Sequence, residues 1–297
     1  MQKLKIIGGK KLSGLISISG SKNATLPILA ATILTDKKVV IKNIPIVRDV
    51  ETMANLLITI GSTVKLNKNK KKIEITNNKK LKTFAPYNLL KTMRAGVLVL
   101  GPLLAKYGNA RVSLPGGCSI GSRPVDIHLS ALKKMGAKIK IFNQKTRAGE
   151  IVADINVKSS ELYGCELNKE MAKLMIDEFP ILSIAASQAN SPSHFAGLDE
   201  LRVKESDRLE LINHNLNNSG CHSKIKGNDL FINPAKNKEI VNPEIRTDFD
   251  HRIAMSFAVL GSKIGKLHIN ESESISTSFP TFKEQFNKAG GHLHWKN

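Results

Sequence analysis

One cadence returns four times along this chain. An amphipathic helical pattern runs into a glycine, and a short β-type stretch follows: Leu57-Ile58-Thr59-Ile60-Gly61-Ser62-Thr63-Val64, Leu132-Lys133-Lys134-Met135-Gly136-Ala137-Lys138-Ile139, Leu216-Asn217-Asn218-Ser219-Gly220-Cys221, and Phe286-Asn287-Lys288-Ala289-Gly290-Gly291-His292-Leu293. Glycine just past the last turn is the expected stop of a helix, because it enters the left-handed conformation without a Cβ clash. Self-similarity of this kind restricts the chain to an architecture assembled from like units.

Upstream of each cadence lies a second helical stretch, richer in small and apolar residues, over residues 23–34, 93–104, 175–189 and 251–260. Apolarity on all sides predicts burial inside a domain. A β-branched or alternating segment follows, as in Val39-Val40-Ile41-Lys42 and Leu267-His268-Ile269-Asn270. The unit reads helix, strand, helix, strand, strand, with a strand expected before it, so the fold class is α/β. Near the start of every apolar helix stands a charged residue: Lys22, Arg94, Asp177 and Arg252. A charge entering an apolar helix is costly unless it is paired or meets a ligand. Singly, each reads as a cap or a salt-bridge partner. As a set at helix starts, three cations and one carboxylate suit a polyanionic substrate and proton transfer.

A second signal is the segment Pro115-Gly116-Gly117-Cys118-Ser119-Ile120-Gly121-Ser122-Arg123-Pro124. The glycines let a ligand approach the backbone closely, and Pro124 suits the first position of a helix that Val125-Asp126-Ile127-His128 would begin. Cys118 and Arg123 therefore share one loop beside a helix N-terminus, which would lower the thiol pKa. The plainer reading of a single cysteine is a small buried hydrophobe.

At 297 residues with 41% hydrophobic content the chain can bury a core and form two domains. Its net charge of +20 invites a nucleic-acid partner. The lysines, however, are scattered through turns such as Lys68-Asn69-Lys70-Lys71-Lys72, with no aromatic-studded strand or zinc finger beside them. That distribution favours anionic small molecules over nucleic acid. No apolar stretch is long enough to span a bilayer, and the start lacks the apolar core of a secretory signal. The three cysteines have no CxxC spacing. The expectation is a cytoplasmic chain with reduced thiols and no membrane association. His222, His292 and His294 have no partner at ligand spacing, so no metal site is expected.

The longer motifs carry a family resemblance. Residues 1–142 resemble UDP-N-acetylglucosamine 1-carboxyvinyltransferases through Ser19-Gly20-Ser21-Lys22-Asn23-Ala24, Leu90-Lys91-Thr92-Met93-Arg94-Ala95 and the 115–128 loop. Residues 143–297 are similar to 3-phosphoshikimate 1-carboxyvinyltransferases (EPSP synthases). There the motifs are Arg147-Ala148-Gly149-Glu150-Ile151-Val152-Ala153-Asp154, Met175-Ile176-Asp177-Glu178-Phe179-Pro180, Glu200-Leu201-Arg202-Val203-Lys204-Glu205-Ser206-Asp207-Arg208-Leu209, Asp250-His251-Arg252-Ile253-Ala254-Met255 and Thr277-Ser278-Phe279-Pro280.

The two families are siblings. The resemblance implies an inside-out α/β barrel of βαβαββ repeats, with four repeats here instead of six. N-terminal strands in residues 1–20 would pack on the second domain. Residues 21–142 and 143–297 would each form a truncated domain of two repeats. The implied reaction moves the enolpyruvyl group of phosphoenolpyruvate onto an acceptor hydroxyl and releases phosphate, without a cofactor. The resemblance places Cys118 as proton donor, Asp177 as the base for the acceptor hydroxyl, and Lys22 between the acceptor and phosphoenolpyruvate. It assigns Arg94, Arg123, Arg208 and Arg252 to phosphoenolpyruvate. Asn23, Arg123, Asp126, His128, Asp177 and Lys204 would face the acceptor, and His251 would orient Arg252. Some shikimate enzymes carry a lysine where this chain has Thr277. The N-terminal half favours UDP-N-acetylglucosamine as acceptor, the C-terminal half shikimate 3-phosphate, with the UDP-sugar ahead. An inactive recombinant of the two sibling enzymes is the alternative. Apolar faces left by the absent repeats predict self-association or aggregation.

Overall fold

The computed structural model describes residues 2–77, 80–85, 94–112, 133–136, 138–147, 150–158, 160–234 and 243–296. The chain divides into two compact units. The first is Ile16–Gly121 with Ser276–Pro280, and the second is Met1–Leu15, Ser122–Ile275 and Thr281–Asn297. Strand β1 (Lys3–Ile6) belongs to the second unit.

In the first unit the order is α1 (Lys22–Ala31), β2 (Val39–Lys42), α2 (Arg48–Ile60), β3 (Ser62–Asn67), β4 (Lys72–Asn77), β5 (Phe84–Ala85), α3 (Leu100–Tyr107) and β6 (Arg111–Val112). Ser21 caps α1, its Oγ accepting from the Ala24 N–H at 3.4 Å. Helix α2 buries Val50, Met53, Ala54, Leu56, Leu57 and Ile60 on one face and stops at Gly61, whose φ of 112° only glycine adopts easily. Strands β2, β4 and β3 form an antiparallel sheet in that order. A buried amide fastens its end: Asn77 donates through Nδ2 to the carbonyls of Thr32 and Thr35 at 2.5 and 2.7 Å. Its Oδ1 accepts from Ser62 Oγ at 2.7 Å. Leu29, Ile33, Val50, Met53, Leu57, Ile60 and Ile73 make the core.

The second unit contains β7 (Lys138–Arg147) and β8 (Glu150–Lys158), an antiparallel pair whose register shifts between Phe142 and Lys145. The extra residue lies where Asn143 takes φ 53°. Next come β9 (Glu166–Leu167), α4 (Lys169–Leu174), α5 (Phe179–Ser187), β10 (Ser193–Phe195), α6 (Arg208–Asn218), β11 (His222–Lys226) and β12 (Asp229–Asn233). The order in this sheet is β11-β12-β10-β9. The last elements are β13 (Glu244–Ile245), α7 (His251–Ile264), β14 (Leu267–Ile269), α8 (Phe282–Lys288) and β15 (Leu293–Lys296). Their sheet runs β13-β14-β1-β15, so β1 sits between two strands from the far end of the chain.

The parallel pairs β5/β6, β9/β10 and β13/β14 are each joined through a helix, as a parallel connection requires. Both four-stranded sheets of the second unit are mixed, and the fold is α/β. Burial on all sides holds best for α5, where Phe179 packs edge-on against Phe195 at 5.3 Å between ring centres. Enclosing one such ring stabilises by about 1.5–3 kcal/mol. It fails for α1 and α3. Ile28 and Leu104 are half exposed, because α1 leans on α2, and α3 on the short 3-10 turn after α1, leaving the opposite face of each uncovered. No described helix is long and apolar enough to cross a membrane.

Candidate active site

Three chain segments of the second unit bring their charged residues together. The first is the 3-10 turn Ile176–Glu178 that leads into α5, at whose start Pro180 fits because no N–H is needed there. The second is the start of α6, where Asp207 caps the helix by accepting from the Glu210 N–H at 3.0 Å and so sets Arg208 at the first helical position. The third is the start of α7, capped by Asp250. Helix α7 comes next after β13 in the chain, and α5 follows β9 with α4 between them.

Asp177 lies at the centre. Its Oδ1 accepts from Arg208 Nη1 at 3.0 Å and lies 3.7 Å from Lys204 Nζ, while Oδ2 lies 3.4 Å from Arg252 Nη2. Arg252 Nη1 also donates to the Asp177 carbonyl at 3.0 Å and approaches Glu178 Oε1 at 3.7 Å. Arg208 is fully buried, its Nη2 on Glu205 Oε2 at 2.5 Å and its Nε on Asp250 Oδ2 at 2.7 Å. Lys204 and Arg252 keep 19% and 30% of their side chains exposed. The buried arginine is thus committed to carboxylates, whereas the lysine and the second arginine can reach a ligand from solvent. Burial alone would raise the Asp250 carboxyl, but Arg208 and the Arg252 N–H hold it below the usual carboxylate range. Burial pushes His251 below its ordinary value, and Arg252 adds to that push against Asp250.

Asp177, Lys204, Arg208 and Arg252 are therefore gathered in one cluster. Lys22 and Asn23 belong to the first unit, on the opening turn of α1. Lys22 pairs with Asp49 at 3.0 Å and Asn23 is exposed. Arg94 begins the 3-10 run Arg94–Val99, and its side chain lies outside the described residues, as do Cys118, Arg123, Asp126 and His128. Among the described residues no group of three metal-ligating side chains occurs. Two further participants escaped sequence reasoning, Asp250 and Ser206, whose Oγ donates to Asp250 Oδ2 at 3.1 Å. The available signal for Asp250 was its place as an acidic cap two residues before Arg252.

The second unit is thus a mixed α/β structure that gathers a lysine and two arginines around one carboxylate. The family model for EPSP synthase (3-phosphoshikimate 1-carboxyvinyltransferase) matches residues 6–172 and 148–286, and the chain belongs to this enolpyruvyltransferase family. The UDP-N-acetylglucosamine 1-carboxyvinyltransferase of Pelagibacter ubique (strain HTCC1062) is 62% identical over 142 residues, covering 48% of this chain and 34% of that protein. The protein of the same name from Idiomarina loihiensis is 40% identical over 239 residues, covering 80% of this chain and 53% of its own length. The chain thus spans between about a third and a half of the curated relatives it matches. The structure of EPSP synthase from Acinetobacter baumannii shares the fold, with a TM-score of 0.81 and 19% identity over 100% of both chains.

Proposed function

We propose that this chain transfers the enolpyruvyl group of phosphoenolpyruvate to an acceptor hydroxyl, releasing inorganic phosphate. The observation that carries the reading is the convergence of Lys204, Arg208 and Arg252 on Asp177, in a chain of this family. The reaction needs a base for the acceptor hydroxyl, a proton for the methylene carbon and countercharge for phosphate and carboxylate. Asp177 takes the hydroxyl proton, and Cys118 delivers a proton to the methylene carbon. Arg252, Arg123 and Arg94 neutralise phosphoenolpyruvate, since guanidinium groups grip carboxylate and phosphate bidentately, whereas Arg208, expected from the sequence to join them, is sealed among Asp177, Glu205 and Asp250 and holds Asp177 in place. Lys22 serves both substrates. Asn23, Arg123, Asp126, His128 and Lys204 hold the acceptor.

UDP-N-acetylglucosamine is the proposed acceptor, supported by the 62% identity of nearly half the chain to an enzyme named for that substrate. Shikimate 3-phosphate is the second reading, favoured by the family match over residues 148–286. The proposed architecture is an inside-out barrel of four βαβαββ repeats. Supporting it are the element orders β9-α4-α5-β10-α6-β11-β12 and β13-α7-β14-α8-β15. A cytoplasmic setting is part of the proposal.

The test is phosphate release from phosphoenolpyruvate with each acceptor in turn. The expected outcome is acceptor-dependent release that falls about a hundredfold in Arg252→Ala and is lost in Cys118→Ala. Release that is absent with both acceptors would favour the inactive recombinant. Light scattering on the same sample tests self-association.

A further inference from the structure

Asp250 is fully buried, and its carboxylate meets both arginines of the cluster. Oδ2 accepts from Arg208 Nε at 2.7 Å and from Ser206 Oγ at 3.1 Å. Oδ1 accepts from the backbone N–H groups of Arg252 and Ile253 at 2.8 and 3.3 Å, and meets Arg208 Nη2 at 3.5 Å. The contacts close a ring. From Asp250 it runs through the Arg208 guanidinium to Asp177, across to the Arg252 guanidinium, and back through the Arg252 backbone to Asp250. A helix cap alone would be served equally by serine or asparagine. The grip on a buried guanidinium needs a carboxylate.

The turn that delivers Asp250 is strained. Asp248 and Phe249 adopt φ of 47° and 60° in succession, a left-handed pair that a phenylalanine joins only where its surroundings over-determine it. They do so here from three sides. Asn215 brackets the Arg246 backbone with hydrogen bonds of 2.7 and 3.0 Å. Thr247 Oγ1 donates to the Asn270 carbonyl at 2.9 Å. The Arg246 guanidinium spans both carboxylate oxygens of Asp248 at 2.7 and 2.8 Å.

We propose that Asp250 is the positioning residue that, by gripping the sealed Arg208 and the Arg252 backbone, holds Asp177 and the anion-gripping Arg252 in one rigid arrangement. The nature of the anion, phosphoenolpyruvate, rests on the function proposed above. The experiment compares the parent chain with Asp250→Ser, which keeps the cap and loses the carboxylate. Two readouts are taken: hydrogen exchange of the arginine Nε–H groups by 15N NMR, and phosphoenolpyruvate affinity by calorimetry. In Asp250→Ser the expected result is unchanged helix content, rapid exchange at Arg208 Nε, and affinity weakened about tenfold or more. An Arg208 signal as protected as in the parent, or an affinity within about twofold of it, overturns the proposal. Should the serine variant fail to fold, Asp250→Asn keeps the cap and a neutral acceptor, and unchanged Arg208 exchange there overturns it equally. If the parent takes up no phosphoenolpyruvate, the proposed function falls, and the arginine exchange decides the positioning role by itself.

Discussion

Asp250 and His251 are neighbours in sequence with opposite needs. The carboxylate is held ionised by Arg208, whereas burial keeps the imidazole neutral. His268 is likewise pushed down, first by burial and then by Lys296. For a histidine with a lowered folded value, the unfolded chain binds protons first as pH falls below about 6.5. The stability from the neutral rings is therefore complete above that pH and is lost as pH falls through the folded values. Asp250 adds a second loss in more acid solution, below the ordinary aspartate range near about 3.9. Urea midpoints measured from pH 7 to pH 5 should fall, and His251→Gln should flatten part of that slope; a flat parent profile would refute the assignment. Asp177, Lys204, Arg208 and Arg252 could be singled out in the sequence because each lies in a long motif, whereas Asp250 and Ser206 were not. The mutual arrangement of the cluster was not legible, since Arg252 reaches the Asp177 carbonyl across 75 positions of chain. Only folding decides that Arg208 is sealed among carboxylates while Arg252 stays reachable.

Among the elements, the glycine stops were the most readable part. Gly61, Gly136, Gly220 and Gly290 all take positive φ, because helix termination is a local matter of backbone sterics. Side-chain bridges between elements carry no such local mark. Asn77 reads as one polar residue at a strand end, yet it satisfies two carbonyls and a hydroxyl at once. Asn77→Ala would leave those groups without that partner in a buried place, at a cost of about 1–3 kcal/mol. Urea denaturation of the purified chain should register that loss, and a midpoint equal to the parent's would show that water replaces the amide. The exposed flanks of α1 and α3 were misread for a related reason. Composition reveals that a helix is apolar, but not how many neighbours are present to cover it.

Across the whole molecule, the family was visible from long motifs, and the resemblance led to an expectation that N-terminal strands pack on the second domain, but the insertion of β1 between β14 and β15 was not legible. Gln2 N–H donates to Glu273 Oε2 across 271 positions, and Leu4 and Ile6 of β1 are fully buried. Past β1 the chain presses on the end of α7, where a Cβ on Gly8 would come within 2.2 Å of the Gly261 carbonyl oxygen. Leu4→Asp would set an unpaired charge inside this sheet and should destabilise the second unit by roughly 4 kcal/mol or more. Circular dichroism melting would show it; a melt unchanged from the parent's would mean that β1 is dispensable.

The central place of β1 also sets a timetable. During synthesis, residues 3–6 leave the ribosome long before either of their partners, 267–269 and 293–296. The strand that carries Leu4 and Ile6 must therefore stay unpaired while the intervening chain is translated. Closing so long a loop is slow, and a waiting strand edge is an invitation to chaperones or to neighbouring nascent chains. For this protein the demanding moment comes when a strand made early meets partners made much later.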